Sequence, residues 1–168
     1  MKKKILVTGA KGFVGEHWCK YLIAKGYKVD AVDIKKNNKS ISSKNYVYYK
    51  KTIFDKTFLE KIIKKNDYIC HFAGIAEPKL YLKKTVKVID LTILPSFEII
   101  KLCSKYKKKL IFTSTSEVYG KNNKIPFSEE DDRVLGSTKK SRWCYSTAKA
   151  MVEHYIIANS LQHSLNFI

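Results

Sequence analysis

Tyr145 and Lys149 stand four residues apart in Tyr145-Ser-Thr-Ala-Lys149, a spacing that puts a phenol and an ammonium on one face of a helix. A phenol with a pKa near 10 is a poor base at neutral pH. A neighbouring ammonium favours the phenolate, and each pKa unit gained is worth about 1.4 kcal/mol. Tyr145 could then take a proton from a hydroxyl while hydride leaves the same carbon, and Lys149 could also hold a ribose. Alone, such a pair is most often surface decoration; a second motif near the amino terminus reverses that reading.

That motif is Thr8-Gly9-Ala-Lys-Gly12-Phe13-Val14-Gly15, a glycine trio between a strand signal and a helix signal. Gly9 permits the tight turn, Gly12 lets the backbone approach a pyrophosphate, and Gly15 lets helix and strand pack closely. The helix start supplies amides and a positive dipole for phosphates. Glycine turns alone are common. Asp33 strengthens the assignment, ending the next strand signal about 20 residues on, where a carboxylate reaches the adenine ribose hydroxyls. A carboxylate there repels a 2′-phosphate, so NAD is expected over NADP, with Lys35 and Lys36 as contrary signals. The plain alternative for Asp33 is an ordinary strand-end acid.

A third segment, Thr113-Ser-Thr115-Ser116-Glu117-Val-Tyr-Gly120, follows a strand signal at the edge where ligands bind in such sheets. Thr115 is a hydroxyl partner for a substrate oxygen and for Tyr145, and Glu117 is a candidate second acid or base. Without the other two motifs this would read as a Ser/Thr-rich turn.

The elements that must position these groups alternate. Strands are expected at Ile5–Thr8, Val29–Ile34, Tyr46–Tyr49, Tyr68–Phe72 and Leu110–Thr113, and Leu165–Ile168 reads as the opening of a sixth. Helices are expected at Phe13–Lys25, Thr57–Lys65, Val86–Tyr106 and Tyr145–Ser160, with loops over Lys35–Lys44 and Lys121–Arg142. This pattern predicts an α/β fold, a Rossmann-like doubly wound parallel sheet with helices on both faces. Pro95 inside the long helix predicts a bend. A strand reaching the last residue, with no following helix, predicts a chain truncated before its substrate-binding part. Residues 1–168 would then be one NAD-binding domain, with the carboxyl-terminal substrate domain absent.

Composition agrees with one globular domain. No apolar run reaches the ~18 residues of a membrane span, and the apolar stretch after Met1-Lys-Lys-Lys breaks at Thr8-Gly9, against a secretion signal. Cys19, Cys70, Cys103 and Cys144 are scattered, which predicts reduced thiols in a cytoplasmic protein and no metal site. The net charge of +18 fits a solvated surface or a field that draws in anionic nucleotide-sugars. Nucleic-acid binding remains a remote alternative, since no helix-turn-helix, zinc or aromatic-platform pattern accompanies the lysines.

On the three motifs together with Val32-Asp33 and His71-Phe-Ala73-Gly74, the chain resembles the extended short-chain dehydrogenase/reductase family, in its nucleotide-sugar epimerase/dehydratase branch. The resemblance covers almost the whole chain. It implies Thr115, Tyr145 and Lys149 as the catalytic set, beside Glu117 as the candidate second acid or base read from the residues. It implies cofactor contacts from Gly9, Gly12, Phe13, Val14, Gly15, Asp33, Ala73 and Lys149. It also implies oxidation of a nucleotide-bound hexose at C4 by NAD⁺. Thr115-Ser116-Glu117 with Arg142-Trp143 looks most like UDP-glucuronate decarboxylases and relatives of UDP-glucose 4-epimerases. Ser116 departs from the Thr-Asp-Glu of dTDP-glucose 4,6-dehydratases. Asp90 stands where many relatives have Asn, and Thr52 where many have Asp near the adenine. The implied partner is a UDP-sugar, and a homodimer is compatible. A fragment that holds NAD without turning over substrate is the alternative.

Overall fold

The computed structural model describes residues 3–37 and 41–168. The expected loop over 35–44 lies partly outside the described residues, as does the extreme amino terminus. Five strands, β1 (Lys4–Thr8), β2 (Lys28–Asp33), β3 (Tyr46–Lys50), β4 (Tyr68–His71) and β5 (Lys109–Phe112), form one sheet in the order β3-β2-β1-β4-β5. Every pairing is parallel. Five helices connect or follow them: α1 (Phe13–Ala24), α2 (Lys56–Lys64), α3 (Pro78–Lys83), α4 (Thr85–Lys105) and α5 (Cys144–His163).

Side-chain alternation explains the two covered faces. Ile5 and Val7 of β1 join Val29 and Ala31 of β2 in one core with Cys19 and Leu22 of α1. Leu6, Val32 and Ile69 point the other way, into a core with residues of α2, α4 and α5. A strand buried on both faces must be apolar at nearly every position, and β1 is. Asp30 is the exception: fully buried, it accepts from Asn66 Nδ2 at 2.9 Å and faces Lys4 and Lys65 Nζ at 3.0 and 3.3 Å.

Two expectations are adjusted, and the expected long helix is continuous. The segment between β4 and α4 holds an unforeseen short helix, α3, opened by Pro78 in its first turn, where a missing N–H costs nothing. The chain stays helical through Pro95, flanked by hydroxyl bonds from Thr92 to Val88 O at 2.7 Å and from Ser96 to Thr92 O at 2.5 Å. The expected sixth strand is a single parallel bridge, Leu110 to Phe167, with Leu110 N–H donating to Asn166 O and Phe112 N–H to Ile168 O.

The sheet order reverses between β1 and β4, whose ends Thr8 and His71 lie side by side. A doubly wound sheet opens its ligand crevice at that point.

Candidate active site

The glycine turn sits at the carboxyl end of β1. Gly9 adopts φ +67°, and a Cβ there would lie 2.7 Å from the Ala73 amide nitrogen, so conformation and crowding both demand glycine. Gly15 is fixed by packing, since a Cβ would come within 2.2 Å of Gly9 O. Gly12 differs. An added Cβ would meet Gly9 O at 3.2 Å, a tight contact but milder than those at Gly9 and Gly15, and Gly12 lines a cleft. Gly12 caps α1, whose first intrahelical bond is Glu16 N–H to Gly12 O. The amides of Phe13 and Val14 precede that bond and belong to the unsatisfied start of the helix; the two side chains are exposed. A cleft-lining glycine at a helix start fits a phosphate group.

Asp33 ends β2. Its carboxylate accepts from the Lys11 amide at 2.8 Å and the Lys35 amide at 3.0 Å. Two backbone donors fix the carboxylate, and its remaining lone pairs face a cleft of about 260 Å³ lined also by Gly9, Gly12, Thr52, Ala73 and Lys87. The cleft residues therefore fit a dinucleotide: a glycine turn at a helix start, next to an oriented acceptor for ribose hydroxyls.

His71 anchors the crevice. Ser96 donates its hydroxyl to Thr92 O, so it accepts from His71 Nε2–H at 2.9 Å. Nδ1 is then an acceptor for the Thr8 hydroxyl at 2.8 Å, and Thr8 Oγ1 in turn accepts from the Ala73 amide at 3.3 Å. This chain of bonds ties β1, β4, α4 and the turn after β4 together. Burial, with the Lys149 charge adding, pushes the imidazole down from 6.5 to about 3, so His71 is neutral at all ordinary pH.

Tyr145 and Lys149 both lie in α5 and both are buried. Burial first, and the Glu117 carboxylate second, hold the Tyr145 phenol above its ordinary value. Its ring stacks on Tyr81 of α3, centroids 4.7 Å apart and planes 12° apart. Lys149 is 6% exposed. Its ammonium donates to Thr113 O at 2.7 Å and lies 4.3 Å from the centre of the Phe112 ring, and burial pulls it down from 10.5 to about 8. Thr115 precedes a turn of 3₁₀ helix, Ser116–Tyr119, and its hydroxyl oxygen accepts from the Glu117 amide at 3.3 Å. Glu117 pairs with Arg142 at 2.5 Å. Glu117, Arg142, Tyr81 and Tyr145 thus form one group at the end of β5, while Lys149 faces the backbone carbonyl of Thr113.

Tyr81 was not foreseen as a site residue, because α3 was not. Pro78 after Glu77 was the available signal for that helix. Arg142 carried weight in the sequence only as part of a motif; its pairing with Glu117 crosses 25 residues and has no local signature.

Residues 5–168 match the family described as NAD dependent epimerase/dehydratase. The chain belongs to that family. One relative, 36% identical over 96% of this chain and 51% of its own length, is a UDP-N-acetyl-alpha-D-glucosaminuronate decarboxylase of Bacillus cytotoxicus. Among solved structures, the PbgP3 protein of Burkholderia pseudomallei aligns with a TM-score of 0.92 at 28% identity, over 99% of this chain and 51% of its own. A UDP-glucose 4-epimerase of Thermotoga maritima, solved with UDP-glucose, aligns with a TM-score of 0.84 at 28% identity, over 98% of this chain and 53% of its own. The fold is thus the Rossmann-like one expected, and the chain spans about half the length of these family members. Among the described residues, no helix is long and apolar enough to cross a membrane.

Proposed function

We propose that residues 1–168 form an NAD-binding domain that also carries the proton-transfer residues for transient C4 oxidation of a UDP-sugar, of the decarboxylase or 4-epimerase type. The observation that carries the reading is Asp33, oriented by two backbone amides beside a glycine turn whose Gly9 and Gly12 line the same cleft. In this reading Gly9, Gly12 and Gly15 shape the turn. The amides of Phe13 and Val14 meet the phosphates, Asp33 holds the adenine ribose, and Ala73 flanks the cleft. NAD⁺, when bound, supplies the acceptor for the hydride leaving C4.

The chain's own residues handle the proton. Tyr145 takes it from the C4 hydroxyl and returns it when the ketone is reduced. A phenol held above its ordinary pKa is a ready donor for the return; accepting the proton requires a cation that favours phenolate. Lys149, one helical turn along, has that role and also holds the nicotinamide ribose. Thr115 offers its hydroxyl to the same sugar oxygen. Glu117, paired with Arg142, is the second acid/base. The four cysteines are free thiols, in keeping with a protein of the cytoplasm.

The experiment is absorbance at 340 nm after mixing the NAD⁺-loaded chain with UDP-glucuronate or UDP-glucose. Reduced nicotinamide that appears with wild type and is lost in Tyr145→Phe supports the reading, and the product, UDP-xylose or UDP-galactose, identifies the reaction. A second reading is an NAD-holding chain without turnover. Firm NAD⁺ binding with neither a change at 340 nm nor any product from either sugar would select it.

A further inference from the structure

On α5 the residue one turn beyond Lys149 is Glu153, so the i, i+4 spacing of Tyr145 and Lys149 extends to a carboxylate. Lys149 and Glu153 are both tied to the segment that leaves β5, and by consecutive residues. The Lys149 ammonium donates to Thr113 O at 2.7 Å, and the Ser114 hydroxyl donates to Glu153 Oε1. Thr115 comes next, its hydroxyl oxygen accepting from the Glu117 amide at the start of the 3₁₀ turn. A carboxylate on α5 is thus fixed beside the stretch that carries the lysine's carbonyl partner and the threonine of the proton-transfer set.

The other groups around Lys149 do little for its charge. From β4 it faces His71, which is neutral at ordinary pH. From β5 it meets the Phe112 ring and the Thr113 carbonyl. Packed along α5, α4 places Ser96 against His71 and Ser104 against Asn159. Glu117, the other acid at the end of β5, is paired with Arg142 and acts on Tyr145. Glu153 is the charge that opposes burial at Lys149. Glu153 also borders a cleft of about 640 Å³, lined as well by Tyr119, Arg133, His154 and the acids 129–132. Within it Arg133 donates to His154 Nε2 at 2.9 Å, and Asp131 is paired with Lys124.

We propose that Glu153 is a positioning residue of the proton-transfer site: its carboxylate, fixed by Ser114, holds the Lys149 ammonium in the charged form. The inference rests on the reading of Tyr145 and Lys149 as that site. A Lys149 that sheds its proton no longer favours phenolate at Tyr145. Losing the Glu153 charge therefore narrows the pH range of proton transfer from its alkaline side. Charge and bond separate by substitution. Glu153→Gln keeps an oxygen that accepts from Ser114 and removes the charge, whereas Ser114→Ala keeps the charge and removes the bond.

The test follows Lys149 itself, by carbon NMR of protein labelled at lysine Cε and titrated from about pH 6 to 10, a range that spans its depressed pKa. Its resonance is assigned by its absence in Lys149→Met, and each variant is first checked by a melting curve. Wild type should titrate near 8, against 10.5 for an ordinary lysine. Glu153→Gln should lower that midpoint by about 0.5 pH unit or more, and Ser114→Ala should not lower it. A midpoint unmoved in Glu153→Gln, or lowered equally in both variants, overturns the inference. The alkaline limb of absorbance at 340 nm, read with NAD⁺ and UDP-glucuronate, should move down with the midpoint in Glu153→Gln. Reduction in wild type with an unmoved midpoint sinks this inference alone. A midpoint that moves while wild type neither reduces NAD⁺ nor forms product sinks the proton-transfer reading, and only the coupling of Glu153 to Lys149 survives.

Discussion

Replacing Lys149 by Met should stabilise the protein at neutral pH. The ammonium sits in a side chain only 6% exposed, and burial pulls its pKa from 10.5 to about 8 against the smaller upward pull of Glu153. At about 1.4 kcal/mol per pH unit, keeping that charge in place at pH 7 costs on the order of 3 kcal/mol. Met has a similar length, adapts to its surroundings and needs no solvation. It gives up the hydrogen bond to Thr113 O, about 1 kcal/mol. The expected net gain is about 2 kcal/mol, a rise in Tm of about 4–8 °C for a domain of this size. The pH dependence has a definite sign. Below about pH 8 the folded and unfolded chains both hold the proton and the full cost applies. Between about 8 and 10.5 the unfolded chain holds a proton that the folded one sheds, so wild type gains stability as pH rises and the advantage of Met narrows. Thermal melts followed by circular dichroism at pH 7, 8, 9 and 10 read both effects. A Lys149→Met variant less stable than wild type at pH 7, or an advantage that stays constant to pH 10, would refute the reasoning. A buried charge retained at such cost is what a functional lysine would look like.

Gly12 and Gly15 should separate by assay. Gly15→Ala forces a Cβ to within 2.2 Å of Gly9 O and should lower the melting temperature by several degrees, whereas Gly12→Ala, with its nearest contact at 3.2 Å and the loss of a glycine N-cap, should lower it less yet lose about tenfold or more in NAD⁺ affinity. Equal melting losses in the two variants would contradict the assignment. His71 should make the fold acid-sensitive: the unfolded chain takes a proton near pH 6.5 while the folded imidazole resists until about 3, so stability should fall as pH drops through that window. Denaturant midpoints from pH 7 to 4 should decline more steeply in wild type than in His71→Gln.

Much of this was legible because the relevant physics is local. Strand alternation, the glycine trio and a strand-end acid are set by neighbours in sequence, so the parallel sheet and the positions of Gly9, Gly12, Gly15 and Asp33 follow from reading along the chain. What escaped depends on distant partners. Nothing near Asp33 announces that the Lys11 amide, 22 residues earlier, will hold its carboxylate. The stacking of Tyr81 on Tyr145 joins residues 64 apart, through a six-residue helix too short to leave an apolar period. The charge on Lys149 was readable as a catalytic signal, but its burial and its bond to Thr113 O were not, because both are set by how α5 packs against the end of β5. The 165–168 segment carried the right strand character, yet at the chain's last residues it makes one bridge.

The central claim, that an NAD site is built around Asp33 and the glycine turn, is tested most directly by titrating wild type and Asp33→Ala with NAD⁺ and NADP⁺ in a calorimeter. Wild type should bind one NAD⁺ per chain and prefer it to NADP⁺ by tenfold or more, and Asp33→Ala should lose most of that preference. Absence of NAD⁺ binding, or a preference for NADP⁺ in wild type, would contradict the account.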